Sequence, residues 1–119
     1  MVNKAIILGN VGADPEVRIL DGGTKVARIR VATTEKYTDK NGNKQEQTEW
    51  HTISLWRGLA DVVDKYVHKG SQVYIEGKFR TREYEQNGEK RYATEIVAED
   101  MKLCGRAKDA NEQPPLPPM

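Results

Sequence analysis

The stretch Gln47-Thr48-Glu49-Trp50-His51-Thr52-Ile53-Ser54-Leu55-Trp56 leaves the chain few folds to choose from. It alternates with a period of two, the signature of a β-strand whose successive side chains point to opposite faces. His51, Ile53 and Leu55 share one face, which reads as the inner one. Trp50, Thr52, Ser54 and Trp56 share the other, so both tryptophans of the chain lie together with only hydroxyl residues between them. Taken alone, that second face has two readings. Either the indoles are buried, by a doubly covered sheet or a subunit contact, or they form a working aromatic surface.

The neighbouring segments repeat the period. Asn3 to Val11 carries the apolar run Ala5-Ile6-Ile7-Leu8, then Gly9 and Gly12, and breaks at Asp14-Pro15. Val17 to Leu20 is a short piece ending in the turn Asp21-Gly22-Gly23. Lys25 to Thr34 sets Ala27, Ile29 and Val31 inward and Arg28, Arg30 and Ala32 outward. It runs on through Tyr37 into a polar loop containing Asn41-Gly42, which makes the tryptophan strand its hairpin partner. Gln72 to Tyr84 places Val73, Ile75, Gly77 and Phe79 on an inner face, and Tyr74, Glu76, Lys78, Arg80, Arg82 and Tyr84 outside. A turn at Asn87-Gly88 leads to a last strand, Arg91 to Leu103. Its inward set stays open between Tyr92-Thr94-Ile96 and Ala93-Glu95-Val97.

One segment departs from this pattern. Between Gly58 and Lys69, Leu59, Val62, Val63 and Tyr66 recur at helical spacing, with Gly70 as the stop. Five strands with one helix between strands 3 and 4 predict an all-β protein, an OB-fold: a five-stranded Greek-key barrel. The barrel domain is expected over residues 1–105. Residues 106–119, with Pro114-Pro115-Leu116-Pro117-Pro118, read as a short flexible tail, extended where ordered.

Composition limits what such a barrel does. A net charge of +1 argues against a uniformly basic coat while leaving room for a local basic stripe. The single cysteine, Cys104, makes no internal disulfide, which fits a reducing compartment. No apolar run suggests a signal peptide or a membrane span, so the expectation is a cytoplasmic protein with no membrane partner. His51 and His68 fall on different elements, Cys104 has no companion at metal-ligand spacing, and the carboxylates follow no catalytic pattern. These features point to a binding protein without catalysis, metal or cofactor.

The binding surface comes from laying the long strands side by side. Trp50 and Trp56 then lie beside Lys78, Arg80, Arg82 and Tyr84, with Tyr37 joining from the hairpin and Arg28 and Arg30 extending the charge. Aromatic rings along a basic track suit single-stranded nucleic acid, whose exposed bases stack on the rings while cations neutralise phosphates. Singly, each arginine reads better as a solvated strand residue paired with a glutamate, and Glu76, Glu83 and Glu85 are at hand. Interleaved with four aromatics, they read as a binding face.

Several motifs carry a closer likeness. Asn3-Lys4-Ala5-Ile6-Ile7-Leu8-Gly9-Asn10-Val11-Gly12, Asp14-Pro15-Glu16-Val17-Arg18, Gln47-Thr48-Glu49-Trp50-His51 and Lys69-Gly70-Ser71-Gln72-Val73-Tyr74-Ile75-Glu76-Gly77 resemble the bacterial single-stranded DNA-binding protein family. Arg80-Thr81-Arg82 and Tyr92-Ala93-Thr94-Glu95 add to it, and the likeness runs from about Val2 to Leu103. The resemblance implies an OB-fold that assembles as a homotetramer and coats single-stranded DNA without sequence preference in replication, recombination and repair, in the cytoplasm at the nucleoid. It implies base stacking by Tyr37, Trp50, Trp56 and Tyr84, phosphate contacts by Lys69, Arg80 and Arg82, and subunit contacts by His51 and Tyr74. Glu83 stands where the family often has a basic residue. The acidic, Phe-terminated tip with which the family recruits replication and repair enzymes has no counterpart here, so such recruitment is not expected. An RNA-binding OB module and a protein-interaction module using the aromatic face are the alternatives.

Overall fold

The computed structural model describes residues 1–106; of the expected tail, Arg106 ends the last strand, and residues 107–119 lie outside the described residues. Six strands and one helix follow in the order β1 (Ala5–Val11), β2 (Glu16–Ile19), β3 (Lys25–Thr38), β4 (Lys44–Trp56), α1 (Gly58–Tyr66), β5 (Ser71–Gln86) and β6 (Glu89–Arg106). Tight turns join the long strands, each with its own chemistry. Between β3 and β4, Asp39 Oδ1 accepts from the backbone N–H groups of Asn41 and Asn43, both at 2.9 Å. Chiefly the Asn43 bond holds the Asp39 carboxyl below the ordinary carboxylate range. Between β5 and β6, Asn87 (φ 54°) and Gly88 (φ 79°) both take the left-handed conformation that a two-residue hairpin turn needs.

The strands form one sheet ordered β1-β5-β6-β4-β3-β2, and β1 also pairs with β3. That extra pairing closes five strands into a barrel, leaving β2 outside the ring on the edge of β3. Two short seams complete the ring. β1 meets β3 antiparallel at Asn10↔Ala32 and Val11↔Val31, and β4 meets β6 in parallel at Ile53↔Ile96 and Ser54↔Val97. At the first seam the backbones crowd so closely that a Cβ on Gly9 would run into the Ala32 carbonyl, so only glycine fits. The expected architecture is thus the one observed, with the helix between the third and fourth strands of the ring.

Inside it, Ile29, Val31, Ile53, Leu55, Val73 and Ile75 are fully buried, as the alternation requires. Each such aliphatic contributes roughly 1.5–3 kcal/mol through removal from water. The helix adds Ala60, Val63 and, just past its end, Val67. Lys25 fastens it to the sheet, its ammonium lying 3.0 Å from Asp61 and 3.2 Å from Asp64.

Three details differ from the sequence reading, and the inward set of the last strand, left open there, is decided. The helix ends at Tyr66 rather than Lys69, and Tyr66 is exposed, because the buried face centres on Ala60 and Val63. Gly70 (φ 92°) lies beyond the helix and donates its N–H to the Val11 carbonyl. On β6 the inward set is Ile96 and Ala98, then Met101, because a register shift opposite Glu76/Gly77 reverses the alternation. Phe79, expected inside, is 49% exposed, since it stands past Ala5↔Gly77, the last pair between β1 and β5.

Candidate nucleic-acid interface

The antiparallel register of β3 and β4 assembles the outer face pair by pair. Val26 lies opposite Trp56, Arg28 opposite Ser54, Arg30 opposite Thr52 and Ala32 opposite Trp50. Across the parallel seam Ser54 meets Val97, which in turn lies opposite Lys78 on β5. Arg80 then faces Glu95, Arg82 faces Ala93, and Tyr84 faces Arg91. One continuous sheet surface therefore carries Trp50, Trp56, Arg28, Arg30, Lys78, Arg80, Arg82 and Tyr84. The juxtaposition rests on β6 lying between β4 and β5, which no local pattern reveals.

The two indoles are half open to water, Trp50 at 51% and Trp56 at 41%, so neither serves the core of this chain. Trp50 is held from two sides. A Cβ on Gly12 would run into its Cζ3 and Cη2 atoms, and the Arg30 guanidinium carbon stands 5.4 Å from its ring centroid. Trp56 donates its Nε1–H to Ser54 Oγ at 3.4 Å. Arg82 stands 5.5 Å from the Tyr84 ring centroid, the same cation–aromatic pairing on the opposite arm.

Three hollows follow one another along this face. A cavity of about 200 Å³ lies between Trp56, Arg28, Ser54 and Glu95. One of about 370 Å³ is lined by Asp14, Arg28, Arg30, Thr52 and Arg82. A third, about 220 Å³, lies between Trp50, Phe79, Thr94 and Ile96. Each is smaller than or at the low end of pockets that take whole drug-sized ligands, roughly 300–1,000 Å³. Shallow aromatic and arginine-lined recesses in series suit a flexible polymer with flat rings and anionic links.

The arginines find a partner other than those expected. Glu76 lies 3.6 Å from Lys4 and Glu83 3.6 Å from Lys90, so both are drawn away from the binding face. Instead Glu95, only 12% exposed, stands 3.5 Å from Arg28 and 3.7 Å from Arg82. Among the described residues, Arg28 Nε is buried without a hydrogen-bond partner.

Four expected residues lie apart from this surface. Tyr37 has the parity of Val31 and His51, so strand alternation sets it on the other face of the β3–β4 ribbon from Trp50, beside Lys36 and Lys44. Lys69 lies in the turn before β5, where its backbone N–H donates to Asp14 Oδ1 at 3.1 Å; Asp14 in turn lines the arginine hollow. His51 is half-buried with Nε2 2.9 Å from Thr33 Oγ1. Tyr74 stands opposite Leu8 on the outer side of β1 and β5, and burial, then Glu76 and Asp100, push its phenol above the ordinary tyrosine range. Sequence reasoning missed Gly12, Phe79 and Glu95. A count of β5, whose 16 residues outrun the seven of β1, which pairs with it as far as Gly77, could have signalled Phe79. No signal in the chain could have signalled Glu95.

Comparison with known proteins follows the same line. The profile of the "Single-strand binding protein family" matches residues 2–104. "Single-stranded DNA-binding protein 1" of Xylella fastidiosa is 44% identical over 113 residues, covering 93% of this chain and 83% of that protein. Its namesake in Chlorobaculum tepidum is 48% identical over 111 residues, covering 92% and 68%. Among solved structures, "Plasmodium falciparum SSB complex with ssDNA" superposes with a TM-score of 0.81 at 34% identity, over 87% of this chain and 96% of that one. A deletion mutant of the Thermus aquaticus single-stranded DNA binding protein gives 0.76 at 25%, over 87% and 50%.

Proposed function

From the premise that the chain belongs to the single-strand binding protein family, we propose that it coats and shields single-stranded DNA without regard to sequence, during replication, recombination and repair. The observation that carries this reading is the continuous face on which two half-open indoles flank arginine-lined hollows. Any base has a π-face to lay on Trp50, Trp56 or Tyr84, each stack being worth about 1–3 kcal/mol. Arg28, Arg30, Lys78, Arg80 and Arg82 lie between these rings, where the phosphates of a stacked strand pass. Tyr37, on the other face of the β3–β4 ribbon, and Lys69, in the turn before β5, meet the strand only where its path leaves this face. Duplex DNA keeps its bases stacked on each other and gains nothing from the rings.

The working unit is a homotetramer in this reading. Ile6 and Leu8 lie exposed on the outer side of β1 next to Tyr74, an apolar strip suited to a second copy of the chain, and His51 belongs to a further contact. The setting is the cytoplasm, at the nucleoid. Among the described residues, no helix is long and apolar enough to cross a membrane, and no group of three His, Cys, Asp or Glu side chains comes together to hold a metal.

Titration with oligo(dT) tests the proposal. Tryptophan fluorescence should be quenched to saturation, and affinity should fall with rising salt as phosphate contacts release counterions. An unquenched titration at micromolar protein would refute it. Competition by an RNA oligomer of equal length at equal affinity would favour the RNA-binding alternative.

A further inference from the structure

We propose that Glu95 is an internal competitor for the DNA backbone: it holds Arg28 and Arg82 in the free protein and gives them up to phosphodiester oxygens when a strand binds. The inference rests on the single-strand reading above. Its geometry is that of a partner made to be exchanged. Glu95 is 12% exposed and close to both guanidinium groups, at 3.5 Å from Arg28 Nη2 and 3.7 Å from Arg82 Nε. Charge-assisted hydrogen bonds close to roughly 2.7–2.9 Å, so neither contact is a formed hydrogen bond. They are Coulombic contacts, strengthened by the partial exclusion of water.

Arg28 is left worst placed. Its Nε–H is buried with no acceptor among the described residues, a condition that costs free energy for as long as it lasts. A phosphodiester presents two oxygens in the fork that a guanidinium matches, and thereby offers each arginine the close pair of bonds that Glu95 does not supply. The carboxylate keeps company after the exchange, because Arg80 stands directly across β5–β6 from it. Both hollows that Arg28 lines open on this cluster, so a strand laid along the face brings its phosphates to both arginines. Glu95 therefore lowers affinity below what the arginines alone would give, and eases release of the strand.

Glu95→Gln keeps the shape and removes the charge. Oligo(dT) affinity at fixed salt should rise roughly threefold to tenfold, the scale of one or two freed ion pairs. The gain should vanish when Arg28 and Arg82 are both alanine, and Glu99→Gln, a carboxylate on the β6 bulge away from these arginines, should give much less. Affinity that is unchanged or lower in Glu95→Gln overturns the inference. So does a gain that persists without the two arginines, because it then reflects only the lost negative charge. If Glu95→Gln does not fold by thermal melting, the wild type decides: the Arg28 and Arg82 Nε–H resonances should both shift as oligo(dT) saturates, and unmoved resonances overturn the exchange. A wild type that binds no oligo(dT) fails the functional reading instead, which separates the two.

Discussion

The ring of Trp50 lies over Gly12, with the Arg30 guanidinium as its second neighbour, and that seat sets the plane it offers to a base. Gly12 has no left-handed backbone to maintain, so Gly12→Ala changes one thing, the space under the indole. We expect Gly12→Ala to keep the barrel, to alter the near-ultraviolet signal of the tryptophans, and to weaken oligo(dT) binding by no more than Trp50→Ala does. In a double-mutant cycle, Gly12→Ala should cost nothing further once Trp50 is alanine. Additive losses would show that Gly12 acts elsewhere. Trp50→Ala and Trp56→Ala should each lose roughly 1–3 kcal/mol of binding. Both should melt close to the wild type, since the rings are half open and Ile53 and Leu55 hold the core from the other face. A Trp56→Ala protein that unfolds, or binds undiminished, would contradict the face described.

Between elements, the sharpest dependence is that of α1 on Lys25. Asp61 and then Asp64, one helical turn apart, raise the Lys25 ammonium above the ordinary lysine range by bonding to its charged form. A group whose folded value is raised stabilises the fold fully below its unfolded value and loses that contribution as pH climbs through the folded one. Lys25→Met, which keeps the stem and removes the charge, should therefore lower stability at pH 7, and the gap from wild type should close above about pH 10.5. Denaturant titrations of both proteins at pH 7 and pH 11 check this; a gap that is constant with pH would assign the loss to packing. The elements themselves were largely legible in the sequence, because Ile53 and Leu55, Ala27 to Val31, and Val73 to Ile75 alternate cleanly. Legibility failed where a strand stops obeying one parity or one height. Glu99 at the bulge reverses β6, so Ile96 and Met101 both point inward. Phe79 has the parity of Ile75 but stands past Gly77, the last β5 residue that β1 covers. Tyr37 groups with Trp50 by chemistry, although counting from Val31 puts it on the other face. The pairing of Glu95 with Arg28 depends on strand order alone, which is a property of the closed ring.

For the molecule as a whole, a barrel of about one hundred residues buries a small core and leaves Ile6 and Leu8 in water on β1. Covering that strip by self-association removes apolar area on each copy, and a tetramer is the expected state. Sedimentation at micromolar concentration should give four times the 13.5 kDa chain, and Leu8→Glu should shift it to smaller species. A mass of one chain for the wild type would rule the assembly out. The order of closure has a further consequence, during synthesis. The seam that locks the ring, Ile53↔Ile96 and Ser54↔Val97, waits for β6, the last of the described strands, to leave the ribosome. Until then β4, which carries both tryptophans, has one edge paired to β3 and the other open to any passing strand. A nascent chain that has emerged only as far as the Asn87-Gly88 turn is an unclosed sheet, with Trp50 and Trp56 beside an unpaired strand edge. An arrest within that window prolongs the state in which the edge of β4 is free to pair with a strand of another chain, and release of β6 ends it.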